Sequence, residues 1–129
     1  MVVDASAILA ILKGEPEEEA FKAALADADN RYMSPVNWLE VAMKAESAGK
    51  EDAAAFRRLA DFATLNIVPV DEAQMRIAHA AWRRFGKGRD PARLNLGDCF
   101  AYALAKFLDE PLLYKGNDFV HTDITSALP

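Results

Sequence analysis

Met1-Val2-Val3-Asp4-Ala5-Ser6-Ala7-Ile8-Leu9-Ala10-Ile11-Leu12 opens the chain with a short apolar run that stops at an acid and turns at once into a helical pattern. Val2 and Val3 suit a strand. Ala5 to Leu12 reads as a helix, broken by Gly14 and Pro16. An acid between a first strand and its helix sits where open parallel sheets place their chemistry, beyond the carboxyl ends of the strands.

The same alternation continues along the chain. Glu17 to Ala28 is a second helix with acids in its first turn, and Arg31 to Met33 a second strand. Ser34-Pro35 pairs an N-cap with proline at the first helical position, opening a helix that reaches Ala48 and stops at Gly49. Asp52 to Thr64 is helical, with Phe56, Leu59, Ala60 and Ala63 on one face. Asn66 to Val70 is a third strand, placed at an edge by Pro69, which cannot donate to a ladder. Glu72 to Arg84 is helical. Asn95 caps a helix over Leu96 to Leu108, Leu112 to Tyr114 is a fourth strand, and Ile124 is placed in a short last one. Short β-rich runs alternating with longer helices predict βαβ units around a mostly parallel sheet.

Length and composition bound the function. The 129 residues fit one domain, 1–129, and 52% hydrophobic with 27% charged residues is ordinary for a globular chain. Cys99 is the sole cysteine, which excludes an intramolecular disulfide. No basic start followed by an apolar run, and no apolar stretch near 20 residues, lead us to expect a cytoplasmic protein without a membrane segment. A net charge of -5 counts against a nucleic-acid partner when taken as a total. Its distribution says otherwise: Arg83, Arg84, Lys87, Arg89 and Arg93 crowd one Gly-containing segment and are candidate RNA-phosphate contacts.

Four acids fall at equivalent places. Asp4 ends the first strand, Glu40 lies in the helix after the second, Asp98 opens the helix before the fourth, and Asp118 sits in the turn after it. Taken singly each has a plain explanation: Asp4 as an N-cap, Glu40 facing solvent, Asp98 as a first-turn acid, Asp118 as a turn residue. Taken jointly they imply a cluster. Carboxylates in apolar settings such as Val2-Val3-Asp4-Ala5 are costly unless paired, protonated or metal-bound. Oxygen-only donors favour Mg²⁺ or Mn²⁺, and two histidines with one cysteine are too few for a typical zinc site. A hard ion held this way supports in-line hydrolysis of a nucleic-acid backbone.

Val2-Val3-Asp4-Ala5-Ser6-Ala7, Leu39-Glu40-Val41, the twelve residues Leu94 to Ala105, and Leu112 to Phe119 followed by Thr122-Asp123-Ile124 resemble, in order, the four motifs of PIN-domain ribonucleases of the VapC toxin type. The third match is the most specific, and together they span nearly the whole chain. The resemblance implies a three-layer α/β/α fold with a central, mostly parallel sheet, and Mg²⁺- or Mn²⁺-dependent RNA cleavage. By motif position it makes Asp4, Glu40 and Asp98 the main metal-binding acids and Asp118 the fourth, with Asp123 competing for that last role. Ser6 would hydrogen-bond an acid or a metal-bound water, and Asn117 would support. The family also implies a homodimer, a VapB-like antitoxin partner and a larger hetero-oligomer with it.

The residues speak against two other functions. A phosphatase of the haloacid-dehalogenase type would need a second Asp where Ser6 stands, and a receiver domain would need paired acids where Asp4 stands alone. A catalytically silent PIN-like module binding RNA or protein would be supported by loss of one acid, and all four positions are filled.

Overall fold

Residues 1–88 and 91–129 are described by the structure, a computed structural model. β1 (Val2–Val3) leads into α1 (Ala5–Leu12) and α2 (Glu18–Asp27). β2 (Tyr32–Met33), α3 (Pro35–Ala48), α4 (Lys50–Ala63), β3 (Asn66–Ile67) and α5 (Glu72–Phe85) follow. α6 (Leu96–Leu108), β4 (Leu112–Leu113) and a 3₁₀ turn (Phe119–His121) complete the order. None of the described helices is long and apolar enough to cross a membrane.

The strands pair in the order β3-β2-β1-β4, all parallel. Side chains of a strand alternate between faces, so β1, β2 and β4 each serve two cores. Val2 and Leu112 pack with α5 and α6 residues such as Ala81, Phe85, Ala101 and Leu104. Val3 and Leu113 pack on the other face with Ile8, Phe21, Leu25, Val41 and Phe56. This is the three-layer α/β/α sandwich expected from the sequence. It also explains why β1 and β4 read as unbroken apolar pairs: a parallel strand covered on both sides has no polar face.

Helix boundaries follow the capping chemistry. Ser34 accepts from the Val36 amide with Pro35 behind it, and Gly49 closes α3 at φ 133°. Asn95 caps α6 through a reciprocal box with Asp98. β3 is the exposed edge strand that Pro69 called for. α4 starts at Lys50 rather than Asp52, because Gly49 breaks α3 and opens α4 without a spacer. The last strand placed at Ile124 does not form. Pairing occurs instead at Ser126, as an isolated bridge to Leu112, while Ile124 packs its side chain against the α5/α6 core.

The winding fixes where a site can lie. The chain steps outward from β1 through β2 to β3, then returns to lay β4 on the opposite side of β1. The carboxyl ends of β1 and β4 therefore flank the point where strand order reverses, the crevice that open α/β sheets use for ligands.

Candidate functional site

Asp4 follows β1 directly into that crevice and is 3% exposed. Its Oδ2 accepts from both the Ser6 amide (3.0 Å) and the Ser6 hydroxyl (2.6 Å). Ser6 Oγ in turn accepts from the Lys115 amide at 2.9 Å. One hydroxyl thus ties the end of β1 to the chain leaving β4. The N-cap reading and the site reading of Asp4 hold together, since capping α1 is how the carboxylate is oriented.

Glu40 approaches from α3 and Asp98 from the first turn of α6, both half-buried. Asp98 Oδ2 accepts from the Asn95 amide at 3.1 Å, while the Asp98 amide donates to Asn95 Oδ1 at 2.9 Å. Asn37, fully buried, donates from one nitrogen to Glu40 Oε1 and to the Gly97 carbonyl, each at 3.0 Å. Asn37 and Gly97 escaped the sequence reading. The available signals were an asparagine inside a helix, three residues before an acid, and a glycine in a helical first turn.

The acids share one electrostatic field. Burial raises the pKa of Asp4, with Glu40 adding to the rise, against the lowering effect of the Ser6 hydrogen bonds. Burial, then the charge of Asp4, pushes Asp98 up to about 7; Asp118 and Glu40 add to this and the Asn95 amide opposes it. Asp98 therefore feels the charges of Asp4, Glu40 and Asp118 together. Asp118 is the exposed member, carried by a turn that Phe119 anchors by packing on Tyr114, ring centroids 5.1 Å apart. Among the described residues, no group of three or more His, Cys, Asp or Glu side chains is arranged so that it could hold a metal ion as it stands. The arrangement is a set of converging, like-charged oxygens, the donor chemistry of a hard divalent cation.

Asp123 lies elsewhere. It accepts from the Tyr102 hydroxyl at 2.6 Å and pairs with Lys106 at 3.1 Å and Arg84 at 3.9 Å. Burial alone would raise its pKa, but the Tyr102 and Lys106 bonds outweigh that and lower it. Its electrostatic partners are thus cations and a phenol, whereas Asp118 couples to Asp98. Asp118→Asn is expected to slow any reaction at the site at least about tenfold. Asp123→Asn should cost roughly 1 kcal/mol of stability, since the lost partners are partly exposed, and leave the rate within about twofold. Rate and melting measurements on the two variants check this; the reverse ranking would return the fourth role to Asp123.

Asn117 is exposed in the turn beside Asp118. Arg83 and Arg84 end α5, with Arg84 over the Phe85 ring (4.6 Å) as well as near Asp123. Phe85 is buried and packs on Tyr102, so it belongs to the core rather than to a stacking surface. Lys87 borders a cavity of about 420 Å³ between α5 and α6, lined by Met75, His79, Trp82, Leu96 and Phe100 among others. Arg93 holds a left-handed backbone, φ 54°. Arg89 lies outside the described residues.

Comparison with known proteins gives a consistent result. The family model described as PIN domain matches residues 1–124. The chain is 45% identical to Ribonuclease VapC30 of Mycobacterium tuberculosis, covering 100% of both chains. It is 46% identical to Ribonuclease VapC28 of the same species, over 99% of this chain and 98% of the relative. Ribonuclease VapC of Mycolicibacterium smegmatis is 44% identical, with 98% and 99% covered. Among solved structures, Mycobacterium tuberculosis VapC20, described as a sarcin–ricin-loop-cleaving toxin, superposes with a TM-score of 0.72 at 16% identity. That match covers 96% of this chain and 95% of VapC20. A toxin–antitoxin complex from Klebsiella pneumoniae gives a TM-score of 0.72 at 19% identity, covering 95% and 92%.

Proposed function

The chain belongs to the PIN-domain family, and on that premise we propose that it is a Mg²⁺- or Mn²⁺-dependent endoribonuclease, the toxin of a VapBC-type toxin–antitoxin pair. The observation that supports this reading best is the Glu40 carboxylate lying against the first turn of α6 beside Asp98, with Asp4 at the end of β1 and the charges of Asp4, Glu40 and Asp118 all acting on Asp98, at the sheet's switch point. Full-length similarity to several proteins named ribonuclease VapC supports the substrate class.

In this reading Asp4, Asp98 and Glu40 would hold the cation, which when bound would supply Lewis-acid stabilisation of the phosphodiester. The protein groups supply the rest. Ser6 and the Lys115 amide fix the Asp4 rotamer. The capping box fixes Asp98. Asp118, at the open mouth, orients water or accepts a proton, with Asn117 beside it. Arg83, Arg84, Lys87, Arg89 and Arg93 contribute phosphate affinity that weakens with salt and balance the acidic cleft as RNA approaches.

Partners follow the same logic. A VapB-like antitoxin would block the acidic cleft with a segment of complementary charge. Its existence is supported by the toxin–antitoxin complex among the fold neighbours. Trp38, Leu39 and Met43 are exposed on α3, an apolar surface suited to a second copy in a homodimer or to the antitoxin in a larger assembly. We place the protein in the cytoplasm with its RNA substrates.

The test is cleavage of several RNAs by the purified chain with Mn²⁺, with Mg²⁺ and with excess chelator. Cleavage that needs the ion is expected. A null result with every RNA, at confirmed folding, would favour a PIN-like binding module instead.

A further inference from the structure

We propose that Asn37 and Gly97 are positioning residues that seat the Glu40 carboxylate against the first turn of α6, next to Asp98. The inference rests on the nuclease reading above and names what makes its acidic cluster converge.

Gly97 is explained by space rather than by backbone conformation. It is not among the glycines with positive φ, and it sits within α6, where glycine is a poor choice. A Cβ built there would lie 2.1 Å from Glu40 Oε1, 2.6 Å from its Cδ and 2.8 Å from Oε2. The Glu40 carboxylate therefore occupies the volume that a side chain at position 97 would fill.

Asn37 holds it there. Its two amide hydrogens go to Glu40 Oε1 on its own helix and to the Gly97 carbonyl on α6. The orientation of the amide is dictated by its neighbours, because a flipped group would press its oxygen against two acceptors. The price is an Oδ1 that is buried with no hydrogen-bond partner among the described residues. A fully buried asparagine that leaves its acceptor unsatisfied is spending itself on its donors. Those donors join the helix bearing Glu40 to the helix bearing Asp98.

The proposal separates stability from function. Gly97→Ala improves helix propensity, and the three nearest atoms its Cβ meets all belong to the end of a flexible side chain, that of Glu40. The fold should survive and Glu40 should swing away. The expected result is a metal-free melting temperature equal to or above wild type. Mn²⁺ affinity, titrated without RNA, should weaken at least about tenfold, and cleavage should slow at least about tenfold. Glu40→Gln should show similar losses, and Gly97→Ala added to Glu40→Gln should lose little more, since the clamp acts only through that carboxylate. Asn37→Ser, if folded, should weaken Mn²⁺ binding in the same direction.

An active wild type alongside a folded Gly97→Ala with unchanged Mn²⁺ affinity and cleavage overturns the clamp and leaves the nuclease reading standing. So does full additivity of the two substitutions. A wild type that neither binds Mn²⁺ nor cleaves RNA overturns both.

Discussion

Asp98→Asn and Asp4→Asn should each lower ion-dependent RNA cleavage at least about a hundredfold while making the metal-free protein no less stable near pH 8. The activity loss follows from removing one of few charges that meet the cation; a preorganised electrostatic group of this kind is worth about 3 kcal/mol in the transition state. Stability moves the other way because asparagine keeps the local hydrogen bonds. At position 98 its side-chain oxygen can still accept from the Asn95 amide, so the capping box persists. At position 4 it can still accept from the Ser6 amide and hydroxyl. What disappears is a charge that is costly to bury and is repelled by its neighbours. A substitution that merely broke the fold would lose both properties together. Cleavage rates and thermal melts at matched concentration read the two separately. Wild-type rates in both folded variants would remove the acids from the mechanism. If the chain acts as a toxin, the same variants should also relieve growth arrest on expression without antitoxin.

The sequence carried the fold where local chemistry and tertiary packing agree. Val2-Val3-Asp4, Ser34-Pro35 and Asn95 mark element ends through propensity and capping, which act over a few residues, and the structure keeps all three. Ile124 failed because a single β-branched residue cannot fix register; the bridge at Ser126 depends on where the tail meets β4. The acids were legible as a set because each lies shortly after a strand or in the first two turns of a helix, and a parallel sheet gathers such places. Asp118 and Asp123 could not be ranked from sequence. Only the packing of α6 shows Tyr102 and Lys106 facing Asp123. Asn37 and Gly97 were silent for a related reason. Their significance is a contact between residues 60 positions apart, and neither type announces chemistry on its own.

The same coupled acids set an unusual dependence on pH. Burial and like charge raise Asp4, and take Asp98 to about 7, in the metal-free protein. The unfolded chain binds those protons only near the ordinary carboxylate value of about 4. Between these limits the native state holds more protons than the unfolded one, so stability from these two groups is greatest in acid and declines as pH rises toward 7. Asp123 contributes with the opposite sign, losing its stabilising pairs only at lower pH, as its lowered value is approached. The metal-free melting temperature is therefore expected to fall between pH 5.5 and pH 8. A divalent cation should reverse the trend. It binds the ionised acids, must displace the protons, and gains affinity by up to about tenfold per pH unit for each proton released below 7. The increment in melting temperature on adding Mn²⁺ should accordingly be small at pH 5.5 and large at pH 8, with cleavage rising across the same window. In Asp98→Asn both slopes should flatten, because the group titrating near 7 is gone. Melting curves with and without Mn²⁺ at four or five pH values suffice. A metal-free protein that gains stability from pH 5.5 to 8, or a Mn²⁺ increment that shrinks over that range, would mean that Asp4 and Asp98 do not form a proton-linked cation site.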